Sequence, residues 1–335
     1  MSKEVFITTV TSYFPNSPID NNSMEDYLGL ISGVHSRVKN IVLRQNGIKQ
    51  RFYAVNTKQE MTHTNAELAQ LSIQKLLTEA LLPLQELELL ACATASPDQV
   101  LPSHASMVHG LLKNAPMEIF SASGICLSCV QAFKIAYLSI LAGDKRNAVC
   151  SCSELASAGL LSKNFDVEYE KCANLGIQPY MALEKDFLRF MLSDGASAVL
   201  LQDNPGKGKA LHIEWVEMTS YANELPTCMF MGAEKEKNGE LKSWKSFSSQ
   251  ELTDRSLFTV KQDIKLLEKN AVPYWAKHIK YCLEKHNVAP ESISYVLPHV
   301  SSMFFYDKII NELKGIGIGI DESKWFTNLS RVGNI

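Results

Sequence analysis

The chain has 335 residues, 46% of them hydrophobic and 21% charged, and a formal net charge of −3. That length allows one large domain or two ordinary ones with ample core, and the composition excludes a disordered chain. The small charge gives no general case for nucleic acid, no apolar run is long enough to span a bilayer, and residues 1–7 lack a signal peptide's apolar block. A cytoplasmic location follows as the expectation, with all eight cysteines as reduced thiols.

Residues 4–12 read as a first strand, followed by a turn at Pro15 to Pro18 and a helix opened by Asn22-Ser23-Met24-Glu25. A locally basic segment comes next, running from Arg37 through Arg44, Lys49 and Arg51. It is either a solvated loop or a docking patch for a phosphorylated or acidic partner. Thr64-Asn65-Ala66-Glu67 has the spacing of a capping box ahead of a helix to about Leu82. The apolar run 87–93 predicts a buried strand, and 102–112 a further helix.

Residues 117–129 combine a short strand, a turn of small residues and the opening of a helix, with Cys126 at the joint. The helix is expected to reach about Ala142, because Val130, Phe133, Tyr137 and Ile140 recur at three- and four-residue steps. A thiol at a helix N-terminus faces unpaired N–H groups and the positive end of the dipole. That setting lowers its pKa below the free value of about 8.5 and prepares a nucleophile. The alternative is a buried cysteine behaving as a small hydrophobe, and from this window Cys129 reads that way.

Asn147 to Glu154 is a further buried strand, 155–190 is irregular, and Ser193-Asp194-Gly195-Ala196 turns into another strand. Asn204 to Lys209 is the best linker. Strands are expected near 211–219 and 293–299, with a long helix from 258 to 286 that Pro273 interrupts. The order helix, strand, turn at 66–95 returns at 258–299, which suggests a duplicated α/β unit with parallel sheets. Cys126-x-x-Cys129 also has the form of a redox pair, and Cys150-x-Cys152 mimics a ligand knuckle. The first lacks the context of a small redox domain, and the second lies in an apolar strand without a usable fourth ligand. His299 follows the strand 293–298 directly, at the end where open sheets place their crevices. Asn334 stands in the turn Arg331-Val332-Gly333-Asn334.

Taken together, these positions resemble the thiolase-fold condensing enzymes, specifically the β-ketoacyl-acyl-carrier-protein synthase III group. The segment 121–133 looks like that family's strand–cysteine–helix, Tyr295 to His299 like its strand ending in Pro-His, and Gly333-Asn334 like the start of its Gly-Asn-Thr/Ser motif. Residues 46–51 are similar to its Thr-Gly-Ile-Arg signature, and Ser193 to Ala196 to its Gly-Asp-Gly-Ala turn. The resemblance runs from near residue 1 to the last residue. Within the group, 6–15, 25–30 and 44–53 look most like ketosynthases of dialkylresorcinol and cyclohexanedione pathways.

The resemblance implies an α/β thiolase fold in a duplicated five-layer αβαβα arrangement with mixed parallel sheets. Residues 1–205 would be the half with the nucleophile, and 206–335 the half with histidine and asparagine. It implies catalytic Cys126, His299 and Asn334, with Ser301, His104 and Glu118 as secondary pocket groups and Arg44, Lys49 and Arg51 as substrate contacts. The arginine of the family's Arg-Thr-Gly is displaced to Arg44, so its coenzyme A contact is not carried over. Expected chemistry is a Claisen condensation of thioesters delivered by acyl carrier protein or coenzyme A, with no metal, no tightly bound cofactor, no membrane, and a homodimer. Michael addition and ring closure to a 1,3-cyclohexanedione follow if the finer likeness holds. The alternatives are fatty-acid initiation, simple acyl transfer, or a non-catalytic partner subunit. Val300-Ser301-Ser302 replaces the family's Gln-Ala-Asn, which alters the pocket wall. The family continues past the position of Ile335, so the expectation is a native protein that continues as well.

Overall fold

The computed structural model describes residues 3–168 and 186–335. Its centre is a six-stranded sheet in the order β5-β4-β6-β7-β1-β8. The strands are β1 (Phe6–Tyr13), β4 (Leu89–Ala93), β5 (Glu118–Ala122), β6 (Asn147–Glu154), β7 (Gly195–Gln202) and β8 (Leu211–His212). The short β2 (Ile19–Asp20) and β3 (Gln50–Arg51) pair separately. β4 runs parallel to β5 and β6, while β6, β7, β1 and β8 pair antiparallel in turn.

Both faces of this sheet are covered, which explains why its strands are apolar without interruption. Two-residue periodicity divides them. Leu90, Cys92, Val149, Ala198 and Leu200 pack against α3 (Asn65–Ala80) and α4 (His104–Leu112). Leu89, Ala91, Ala93, Ala148, Cys150 and Leu201 face α5 (Ser128–Leu141). Burying each such leucine contributes about 1.5–3 kcal/mol.

The capping box forms as its spacing predicts: Thr64 N donates to Glu67 Oε2 at 2.7 Å, and Glu67 N to Thr64 Oγ1 at 3.2 Å. Helices α1 (Met24–Leu28) and α2 (Lys39–Asn46) precede these elements, and α6 (Ser249–Asp254) follows the sheet.

Beyond the sheet, the chain packs largely as helices. α7 (Ile264–Lys285) runs through Pro273 and buries Val272, Ala276 and Leu283 against Phe305, Ile309 and Leu313 of α8 (Met303–Gly315). The strand expected at 211–219 shrinks to Leu211–His212. The one at 293–299 reduces to a single parallel bridge between Val296 and Trp325, with Tyr295 and Leu297 exposed at 77% and 74%. An apolar run becomes a strand only where neighbouring chain pairs with it over several residues. Part of the irregular stretch 155–190 falls outside the described residues. Among the described residues, no helix is long and apolar enough to cross a membrane.

Candidate active site

β4, β5 and β6 all end at one edge of the sheet, and the turn 123–127 carries the chain from β5 into α5. Ser128 secures that turn by donating its hydroxyl to the carbonyls of Gly124 and, at 2.8 Å, Ile125. Cys126 is exposed at the turn and lines a cavity of about 480 Å3. His299, Asn334 and Leu329 line the same cavity. The sequence-predicted trio therefore shares one cavity, although its members come from distant parts of the chain.

Asn334 is placed by residues 191–193. Its N–H donates to Met191 O at 3.2 Å, and its carbonyl accepts from Ser193 N at 2.8 Å. Gly333 precedes it at φ +78°, and a Cβ there would sit 2.7 Å from Ser193 Cβ. Next in the chain, Asp194 is buried and accepts from Ala54 N at 2.6 Å, Ser157 N at 2.9 Å and the Ser157 hydroxyl. Burial pushes its carboxyl up to about 6. These bonds fix the floor under Asn334. A short helix, α9 (Leu329–Val332), leads into it from the other side, tied down where Lys49 N donates to Ser330 O at 3.0 Å.

The Cys126 thiol differs from the expected thiolate. Its pKa is raised, first by desolvation in the cavity wall and then by the nearby Glu154 carboxylate. The helix begins at Ser128, so the cysteine lies ahead of the first helical turn and gains less from the dipole. The His299 imidazole is pushed down by burial, which keeps it neutral near pH 7.

Several predicted pocket groups lie elsewhere. Glu118 sits at the opposite end of β5, paired in register with Leu89, and binds Lys145 Nζ at 2.8 Å in solvent. His104 is buried behind the sheet with Nε2 3.0 Å from Ser153 Oγ, and burial lowers its pKa to about 4. Ser301 is half-buried ahead of α8 and does not line the cavity. Arg44 and Lys49 are exposed. Arg51 is fully buried, with Nη2 donating to Asn21 Oδ1 at 2.8 Å and Phe190 O at 3.3 Å, so it is an internal strut instead of a docking residue.

Two features escape the sequence. Cys129 and Cys152 are joined as a disulfide in the cavity wall, Cα atoms 5.4 Å apart, which corrects the expectation that every cysteine is reduced. With Cys150, their sulfurs lie within 4.8 Å of one another. The other is Glu154 at the end of β6, lining the cavity; the one signal for it was an acid closing a buried strand.

No protein-family model matches the chain. β-Ketoacyl-acyl-carrier-protein synthase III of Clostridium perfringens is 23% identical over 322 residues, covering 96% of this chain and 83% of that protein. The tetronic acid condensing enzyme AbyA1 superposes with a TM-score of 0.70 at 20% identity, over 98% of this chain and 87% of AbyA1. The chain has the thiolase fold of these condensing enzymes. Xanthomonas campestris OleA, solved with lauric acid and lauroyl-CoA, shares that thiolase fold. It gives a TM-score of 0.64 at 17% identity, covering 100% of this chain and 88% of OleA. The thiolase fold accounts for the mixed sheet whose strand ends converge beside Cys126.

Proposed function

We propose that the protein is a ketosynthase in which Cys126, His299 and Asn334 join two acyl thioesters. The observation that carries this is the single cavity these three residues line together. Cys126 attacks an acyl thioester, and N–H groups of the 123–128 turn stabilise the oxyanion. The acyl group stays on sulfur while a second thioester, malonyl or β-ketoacyl, enters. Neutral His299 and the Asn334 amide hydrogen-bond its thioester carbonyl, and those bonds strengthen as charge develops on that oxygen.

The OleA structure with lauroyl-CoA supports coenzyme A or carrier-protein thioesters as the substrate class. The replacement of Gln-Ala-Asn by Val300-Ser301-Ser302 favours an unusual second substrate and, with it, Michael addition and closure of a 1,3-cyclohexanedione. The initiation reaction of fatty-acid synthesis is the second reading, supported by the C. perfringens relative. The assignment includes a cytoplasmic homodimer with thiolase halves at 1–205 and 206–335.

The test is to incubate the protein with acyl and β-ketoacyl thioesters, then follow intact mass and products. An acyl adduct that Cys126→Ala abolishes is expected. Persistent acylation at another residue overturns the assignment, and a linear product without a ring removes the cyclisation.

A further inference from the structure

The mechanism above leaves Glu154 unused, although it lines the same cavity as the catalytic trio. Strand alternation puts Cys150, Cys152 and Glu154 on the α5 face of β6, the face from which Cys126 rises. The carboxylate is held by Ala95 N to Oε1 at 2.7 Å, Ser96 Oγ to Oε2 at 2.6 Å, Thr94 Oγ1 to Oε2 at 3.4 Å, and the Ser96 backbone N–H. The group is close enough to Cys126 for its charge to raise the thiol. Burial raises Glu154 itself to about 6. A carboxylate in that range is ionised at neutral pH yet more basic than a solvated one, which suits proton abstraction.

We infer that Glu154 is the general base that takes the α-proton of a β-ketoacyl thioester, making that thioester the carbon nucleophile without loss of CO2. This rests on the proposed condensation at Cys126. Glu154 removes the proton between the two carbonyls, and the C–H electron pair becomes an enolate whose thioester oxygen is held by His299 and Asn334. The enolate carbon attacks the acyl carbon on Cys126, forming the C–C bond. Collapse of the tetrahedral intermediate breaks the C–S bond. Cys126 leaves as thiolate and receives the proton that Glu154 carries, which returns both groups to their starting states. A malonyl thioester needs no such base, because cleavage of its C–CO2 bond supplies the electron pair.

The experiment compares wild type with Glu154→Gln on both second substrates. The ratio of β-ketoacyl to malonyl condensation rates should fall about 100-fold or more, the scale of a lost general base. Equal slowing with both substrates would reduce Glu154 to a brace for Ala95 and Ser96, and an unchanged ratio would also overturn the inference. Deuterium uptake at the α-carbon of a β-ketoacyl thioester in D2O gives a readout independent of acylation. Cys126→Ala should accelerate uptake over buffer, Cys126→Ala/Glu154→Gln should not, and Cys126→Ala/Glu154→Asp should recover part of it. If no acyl adduct forms on Cys126, the condensation reading fails, while this exchange still decides the role of Glu154.

Discussion

The two walls of the cavity are built in different ways. Glu154 closes β6, and Cys126 stands in the turn between β5 and α5, elements anchored by register and by packing against the rest of the sheet. His299 and Asn334 stand on loops. One follows a segment joined to its neighbour by a lone bridge, and the other hangs from two backbone bonds to 191 and 193. The sheet side holds the proposed nucleophile as a by-product of folding. On the loop side, position depends on a few identifiable hydrogen bonds, so single substitutions there should separate the two stages of the reaction.

The largest expected separation comes from His299→Ala. Acyl-enzyme should still appear by intact mass spectrometry while condensation drops about 10²–10⁴-fold. Undiminished condensation would remove His299 from the mechanism. Gly333→Ala should come next, because its φ of +78° and the 2.7 Å approach to Ser193 leave no room for a methyl group. A cost of about 1–3 kcal/mol is expected, read as a lower Tm, with condensation losing more than acylation as Asn334 shifts. Equal loss in both stages would show that the two walls move together.

The smallest effect concerns the thiol. A raised pKa leaves less thiolate at pH 7, so iodoacetamide should label Cys126 of the free protein more slowly than free cysteine. Labelling should still be climbing above pH 8.5, roughly the midpoint of an unperturbed thiol. Faster labelling than free cysteine at pH 7 would restore the dipole-activated thiolate.

The regular wall was largely legible from residues. Thr64 and Glu67 announced α3, a continuous apolar run announced β4, and the small residues 121–124 ahead of Cys126 announced the strand–helix turn. Sequence does not reveal register or burial. Glu118 looked like a neighbour of Cys126 along the chain, yet β5 carries it to the far end of the sheet. Arg51 read as surface charge because nothing in Asn46 to Arg51 shows that β2 and the 190 segment close over it. The Cys129–Cys152 bridge joins a helix to a strand, a contact that spacing alone does not display. Tyr295 to Leu297 had a strand's composition but finds one partner, at Val296.

The bridge between Leu192 and Asn334 links segments very far apart along the polypeptide. Closing so large a loop is entropically slow, and the sheet that receives it must already be in place. Catalytic competence should consequently be among the last properties to emerge on refolding, trailing the recovery of secondary structure.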